Sequence, residues 1–168
     1  MPASIAEVIE RIREGTGSDP AAGKVLVKVS GGLTGPTAVD LQTRRHHVSV
    51  DEPGALGGED ASPGPVDYAL VALASCQAIT YRFWAEKLGV ALDDVEVSVE
   101  ADLDLRGFLG FDDAVRPGFT AVRVEVTPKG PESAERYQEL SEIVDEHCPV
   151  LDLFARATPV ERKVAVAA

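Results

Sequence analysis

The sequence predicts an α+β fold, an antiparallel sheet wrapped around one long hydrophobic central helix. Three observations carry this expectation. Residues 62–88 are the longest apolar segment of the 168-residue chain. Alternating apolar and polar residues, the signature of half-buried antiparallel strands, occur in pairs on both sides of it. The order helix, two strands, helix, two strands, helix, strand also lacks the regular strand–helix alternation of a parallel sheet. The chain reads as a single domain, 1–168, with no repeat, low-complexity tract or linker.

Residues 4–14 predict an amphipathic helix, with Ile5, Val8, Ile9 and Ile12 at helical spacing, ended by Gly15, Gly17 and Pro20. Residues 24–30 alternate as a strand; Gly31, Gly32, Gly35 and Pro36 read as a turn; residues 37–50 return as a second strand. The central helix follows. Pro63, Gly64 and Pro65 make a stiff start, because proline fixes φ and is tolerated where a first-turn N–H has no helical partner. Asp67 puts a negative charge where the helix dipole favours one, and Gly89 supplies a left-handed cap. Ala69, Ala72, Leu73, Cys76, Ile79, Thr80 and Phe83 share one face, while Leu70, Val71, Ala74, Ala78 and Trp84 spread apolar character over the rest. Such a helix is expected to be buried on nearly all sides. Its length would suit a bilayer, but Asp67, Arg82, Glu86 and Lys87 argue against one.

Residues 95–105 alternate cleanly and predict a strand, residues 107–118 an irregular connection, and residues 120–127 a further strand. Residues 132–147 predict an amphipathic helix stopped by Pro149, since the residue before a proline is pushed out of helical geometry. A short helix over 151–155 and a closing strand over 160–167 complete the chain. About five strands are too few to cover so apolar a helix, which predicts a homodimer sharing its core.

Composition narrows the function. With 16 Lys and Arg against 28 Asp and Glu the net charge is −12, a surface that repels phosphate backbones and anionic lipid, so neither nucleic acid nor membrane is an expected partner. The first 15 residues mix acids with apolar residues and form no secretory leader, which points to the cytoplasm. Cys76 and Cys148 lie 72 positions apart, which fits neither a CxxC motif nor a zinc knuckle. On the residues alone they are buried spectators or a functional thiol pair. His46, His47 and His147 form no metal spacing with them.

Residues 51–76, DEPGALGGEDASPGPVDYALVALASC, followed far downstream by HCPV at 147–150, resemble the OsmC/Ohr family. The preceding hairpin and residues 104–119, DLRGFLGFDDAVRPGF, are similar to it as well. The resemblance implies an intertwined homodimer with active sites at the subunit interface. It implies that Cys76 attacks an organic hydroperoxide and becomes a sulfenic acid, and that Cys148 condenses with it to a disulfide. An external dithiol then reduces that disulfide, with no bound cofactor.

This chemistry needs a thiolate, and Cys76 sits in the third turn, beyond the help of its own helix dipole. A cation must reach it from elsewhere. Arg44 and Arg45, expected on opposite faces of a strand, are the candidates; the family's Arg-x-His pattern ahead of Asp51-Glu52-Pro53 favours Arg44. Arg106 and Arg116 follow. Organic-hydroperoxide-resistance members carry a glutamate where this chain has Val66; Asp67, one place later, matches the OsmC-like branch. On a regular helix Asp67 is nine positions from Cys76, half a turn out of phase and about 13 Å away. It reaches the thiol only if the helix start bends back or across a dimer; otherwise it is a first-turn acid serving the dipole. Tyr81, Phe83, Trp84, Phe108, Leu109 and Phe111 are available to line an apolar pocket. The alternative reading is a non-catalytic ligand-binding or redox-sensing protein of the same fold.

Overall fold

The computed structural model describes residues 3–166. Helix α1 (Ile5–Ser18) opens on a capping box, in which Ser4 Oγ accepts from the Glu7 N–H and Glu7 Oε2 accepts from the Ser4 N–H. It runs through Gly15 and Gly17, beyond the expected end, and stops where Asp19 turns to extended backbone.

Strands β1 (Ser30–Leu33), β2 (Val39–Thr43) and β3 (His46–Val50) form one antiparallel sheet in the order β1-β2-β3. This corrects the single strand expected over 37–50. The chain reverses at Arg44 and Arg45, with Arg44 at φ 51, and the glycines read as a turn, Gly31 and Gly32, pair with Leu41 and Asp40 instead. Asp51, only 3% exposed, staples the loop that follows: its carboxylate accepts from the Thr37 hydroxyl at 2.6 Å and from the N–H groups of Glu52, Glu59 and Ala61. Those bonds, the Thr37 hydroxyl foremost, hold its carboxyl down at about 2.

Helix α2 (Pro65–Leu88) is 24 residues long and ends at Gly89, whose φ of 64 is left-handed. Strands β4 (Asp94–Asp102) and β5 (Ala121–Lys129) form a second antiparallel sheet, joined by a loop containing the one-turn helix α3 (Leu105–Phe108). Helices α4 (Ala134–His147) and α5 (Pro149–Ala155) meet at Cys148, with proline at the first position of α5. The core lies where α2, α4 and the second sheet converge: Tyr81, Ala85, Val90, Leu92, Tyr137, Leu140 and Val144 pack together, with Trp84, Leu88, Val95 and Val126 against them.

The antiparallel α+β class is as expected, but the strands form two separate sheets rather than one wrapped sheet. Within one chain α2 is not buried all round, since Val71, Ile79 and Phe83 are 54%, 58% and 36% exposed. Residues 24–29 and 160–166 are not strands among the described residues, and Ala167 lies outside them. Their apolar side chains, including Val25, Leu26, Val27, Val164 and Val166, stand in solvent because neither segment finds a strand partner among the described residues.

Candidate active site

Cys76 lies half-buried in the third turn of α2. Cys148 is 1% exposed and caps both the end of α4 and the start of α5. Both are free thiols. The fold brings them close enough to interact: burial pushes the Cys148 thiol up, the N–H of Leu151 pulls the other way, and the neighbouring Cys76 side chain adds to the rise.

Thr80, one turn beyond Cys76, has its hydroxyl oxygen 4.0 Å from the sulfur. That hydroxyl donates to the Cys76 carbonyl at 2.7 Å, so it presents lone pairs to the sulfur. Gln77 is 1% exposed, and its Oε1 is sealed without a hydrogen-bond partner among the described residues. Sequence reasoning assigned neither residue a role; the i, i+4 spacing of Thr80 was the available signal.

Of the expected cations, Arg116 lines a groove with Leu73 and Leu151, while the others lie elsewhere among the described residues. Arg44 and Arg45 form the exposed tip of the β2–β3 hairpin, with His46 and His47 exposed beside them. They are turn residues, so the expectation that they point to opposite faces of a strand does not apply. Asp67 Oδ2 accepts from the Gly64 N–H at 2.9 Å, holding the first turn of α2. Since α2 is continuous from Pro65, no bend returns Asp67 towards Cys76. Arg106 is engaged by Asp104 at 2.6 Å and Asp112 at 3.5 Å. The His147 ring packs against Trp84 at a tilt of 48°, centroids 4.2 Å apart, with Nδ1 2.8 Å from the Ile143 carbonyl oxygen.

The apolar lining also differs from expectation. Tyr81 is in the core, while Phe108, Leu109 and Phe111 are exposed on the β4–β5 loop. A groove of about 500 Å³ is lined instead by Leu73, Arg116, Phe119, Val122, Leu151 and Phe154. Leu73 is three residues before Cys76, and Leu151 three after Cys148. Among the described residues no group of three or more His, Cys, Asp or Glu is placed to hold a metal ion. No helix among them is long and apolar enough to cross a membrane.

The family model described as OsmC-like protein matches residues 57–163, nearly two thirds of the chain and both thiols. The protein belongs to the OsmC-like family. The fold agrees. An OsmC-like protein from Mycoplasma pneumoniae superposes at TM-score 0.67 with 15% identity, covering 79% of this chain and 89% of that one. The organic hydroperoxide resistance protein OsmC of Legionella pneumophila gives 0.60 and 20%, covering 77% and 89%. An organic hydroperoxide resistance protein from Elizabethkingia anophelis gives 0.58 and 16%, covering 77% and 88%. At these identities the likeness is one of fold. No curated relative matches the sequence of this OsmC-like chain.

Proposed function

We propose that this OsmC-like protein is a thiol-dependent peroxidase that reduces organic hydroperoxides in oxidative-stress defence. The observation that carries the reading is the influence of the Cys76 side chain on the buried Cys148 thiol, with Leu73 and Leu151, three residues from each, lining one groove. Fold neighbours named for organic hydroperoxide resistance support it. The half-buried Cys76, as thiolate, attacks the distal oxygen of the hydroperoxide. The O–O bond breaks, the alkoxide takes a proton and leaves as alcohol, and Cys76 becomes a sulfenic acid. Cys148, kept protonated by burial until then, gives up its proton as its sulfur displaces the sulfenic oxygen as water. An external dithiol supplies the two electrons and two protons that restore the thiols; no bound cofactor is required.

The thiolate still needs a cation, and we assign that role to Arg44 of a second copy. The hairpin that carries Arg44 projects from the α2 end where Tyr68 donates to the Ser49 carbonyl at 2.8 Å. The exposed Val71, Ile79 and Phe83 face of α2 is apolar enough to seat a second copy in a homodimer. Asp67, held in the first turn, is in this reading the acid that steadies that guanidinium across the interface.

Replacing Cys76 by Ser is expected to abolish consumption of cumene hydroperoxide with a dithiol reductant. Replacing Cys148 by Ser is expected to leave Cys76 as a sulfenic or overoxidised acid, seen by intact mass. A Cys76 variant as fast as the parent would end the peroxidase reading, and a monomer at micromolar concentration by sedimentation velocity would end the trans assignment of Arg44. The burial of Cys148 and the loss of the family glutamate at Val66 favour a second reading, a ligand-binding or redox-sensing member. Alkylation of Cys76 against pH separates the two: half-maximal reaction well below the free-thiol value of about 8.5 belongs to the catalyst, and at or above it to the sensor.

A further inference from the structure

A hollow of about 400 Å³ lies between α1 and the C-terminal half of α2. Its lining is Ile9, Ile12 and Arg13 on α1 and Phe83, Trp84 and Lys87 on α2. Both triplets follow helical spacing, so each is one contiguous patch of its helix and the two patches face across one slot. One wall is aliphatic and the other aromatic. Trp84 is fixed in place, since it packs against the core cluster and its ring meets that of His147. It stands eight residues beyond Cys76, about 12 Å along α2, so the hollow is separate from the site of the nucleophile.

Charge decides what can enter. In a chain of net charge −12, this hollow is lined by two cations and, among the described residues, by no acid. Arg13 is engaged by Glu10, Nε to Oε2 at 2.9 Å. Lys87 makes no ion pair among the described residues. Its Nζ instead lies over the Trp84 ring, 3.8 Å from the centroid. An uncompensated ammonium therefore sits at the aromatic wall of an apolar slot. A flat ring fits between such walls, and the ammonium pairs with a carboxylate attached to it.

We propose that the hollow between α1 and α2 binds a small aromatic carboxylate, its ring between Ile9 and Ile12 on one side and Phe83 and Trp84 on the other, its carboxylate on Lys87. The site uses neither thiol, so it can fail while the peroxidase reading holds, and the reverse.

Titration calorimetry of the full chain with phenylpropionate, phenylpropanol and acetate tests it, read beside the emission of Trp84, the single tryptophan. Phenylpropionate is expected to bind about fivefold more tightly than phenylpropanol, the scale of an exposed ion pair, and to shift the Trp84 emission with the same midpoint. Acetate, which has no ring, is expected not to bind measurably. Lys87→Gln, a change at an exposed residue, is expected to remove the advantage of the acid over the alcohol. Ile12→Asp puts a negative charge at a 53% exposed position of the hollow and is expected to weaken phenylpropionate by about tenfold, through lost apolar contact and like charge. Arg116→Gln is expected to change nothing, since Arg116 lines a different groove. Absence of phenylpropionate binding, as would follow if a second copy filled the hollow beside Phe83, overturns the proposal. So does an unmoved Trp84 emission, an acid advantage that survives in the Lys87 variant, an unaffected Ile12 variant, or loss of binding on changing Arg116 instead.

Discussion

Gln77 offers a test in which the expected sign runs against the usual effect of a core mutation. Its side chain is 1% exposed and centred on the inward face of α2, between Leu73 and Tyr81 at i−4 and i+4. Oε1 is sealed there without a donor. An unsatisfied buried acceptor costs about 1–3 kcal/mol of desolvation, and a methionine of the same unbranched length fills the space with no polar atom to desolvate. Gln77→Met is therefore expected to stabilise the fold by about 1–3 kcal/mol. For a chain of this size that raises Tm by about 2–4 °C per kcal/mol. The site is enclosed by its own chain, so the gain is expected at all protein concentrations, which calorimetry or thermal circular dichroism at two concentrations will check. A lower Tm for the variant would mean that Oε1 has a partner in solution, and would refute the reasoning.

Leu140→Ala empties a 1% exposed position in the main cluster and is expected to cost about 2–5 kcal/mol by urea denaturation. Asp67→Ala removes the acceptor for the Gly64 N–H and the first-turn charge, for a loss of about 0.3–1 kcal/mol; a simultaneous collapse of peroxide turnover would add the trans role. Asp51, held at about 2 against an ordinary 3.8, stabilises the fold above the ordinary value. That contribution is expected to vanish as pH falls through about 2, and to be absent in Asp51→Asn. Cys148 works in the opposite direction. Its thiol is raised above the ordinary 9.0, so its contribution is full below that value and is lost as pH rises through the folded-state value. Cys148→Ser is expected to flatten the alkaline limb of the stability profile.

The elements with local signals were legible. Pro65 and Gly89 bracket α2 as expected, Pro149 ends α4, and the alternation of residues 95–105 becomes β4. What failed depended on partners. Residues 24–30 and 160–167 alternate as well as any strand, yet a strand needs a neighbour, and within one chain the described part of neither has one. The hairpin tip was missed because Arg44 takes φ 51 without the glycine or asparagine that usually announces it. On the residues alone Cys76 and Cys148 could be spectators or a pair, and only the family resemblance favoured the pair. Gln77 needed coordinates, since an orphaned oxygen is a property of its surroundings and leaves no trace in spacing.

Cys148 also occupies a mechanical joint. It ends one helix and begins the next, and Pro149 carries no N–H to tie the two rods together across the bend. The Cys148 carbonyl accepts from the Asp152 N–H at 3.0 Å, which ties that residue to α5 and to the groove side chains Leu151 and Phe154 that α5 carries. Drawing the two sulfurs into a bond would therefore pull on that wall as well, and the reduced and oxidised proteins are expected to differ there.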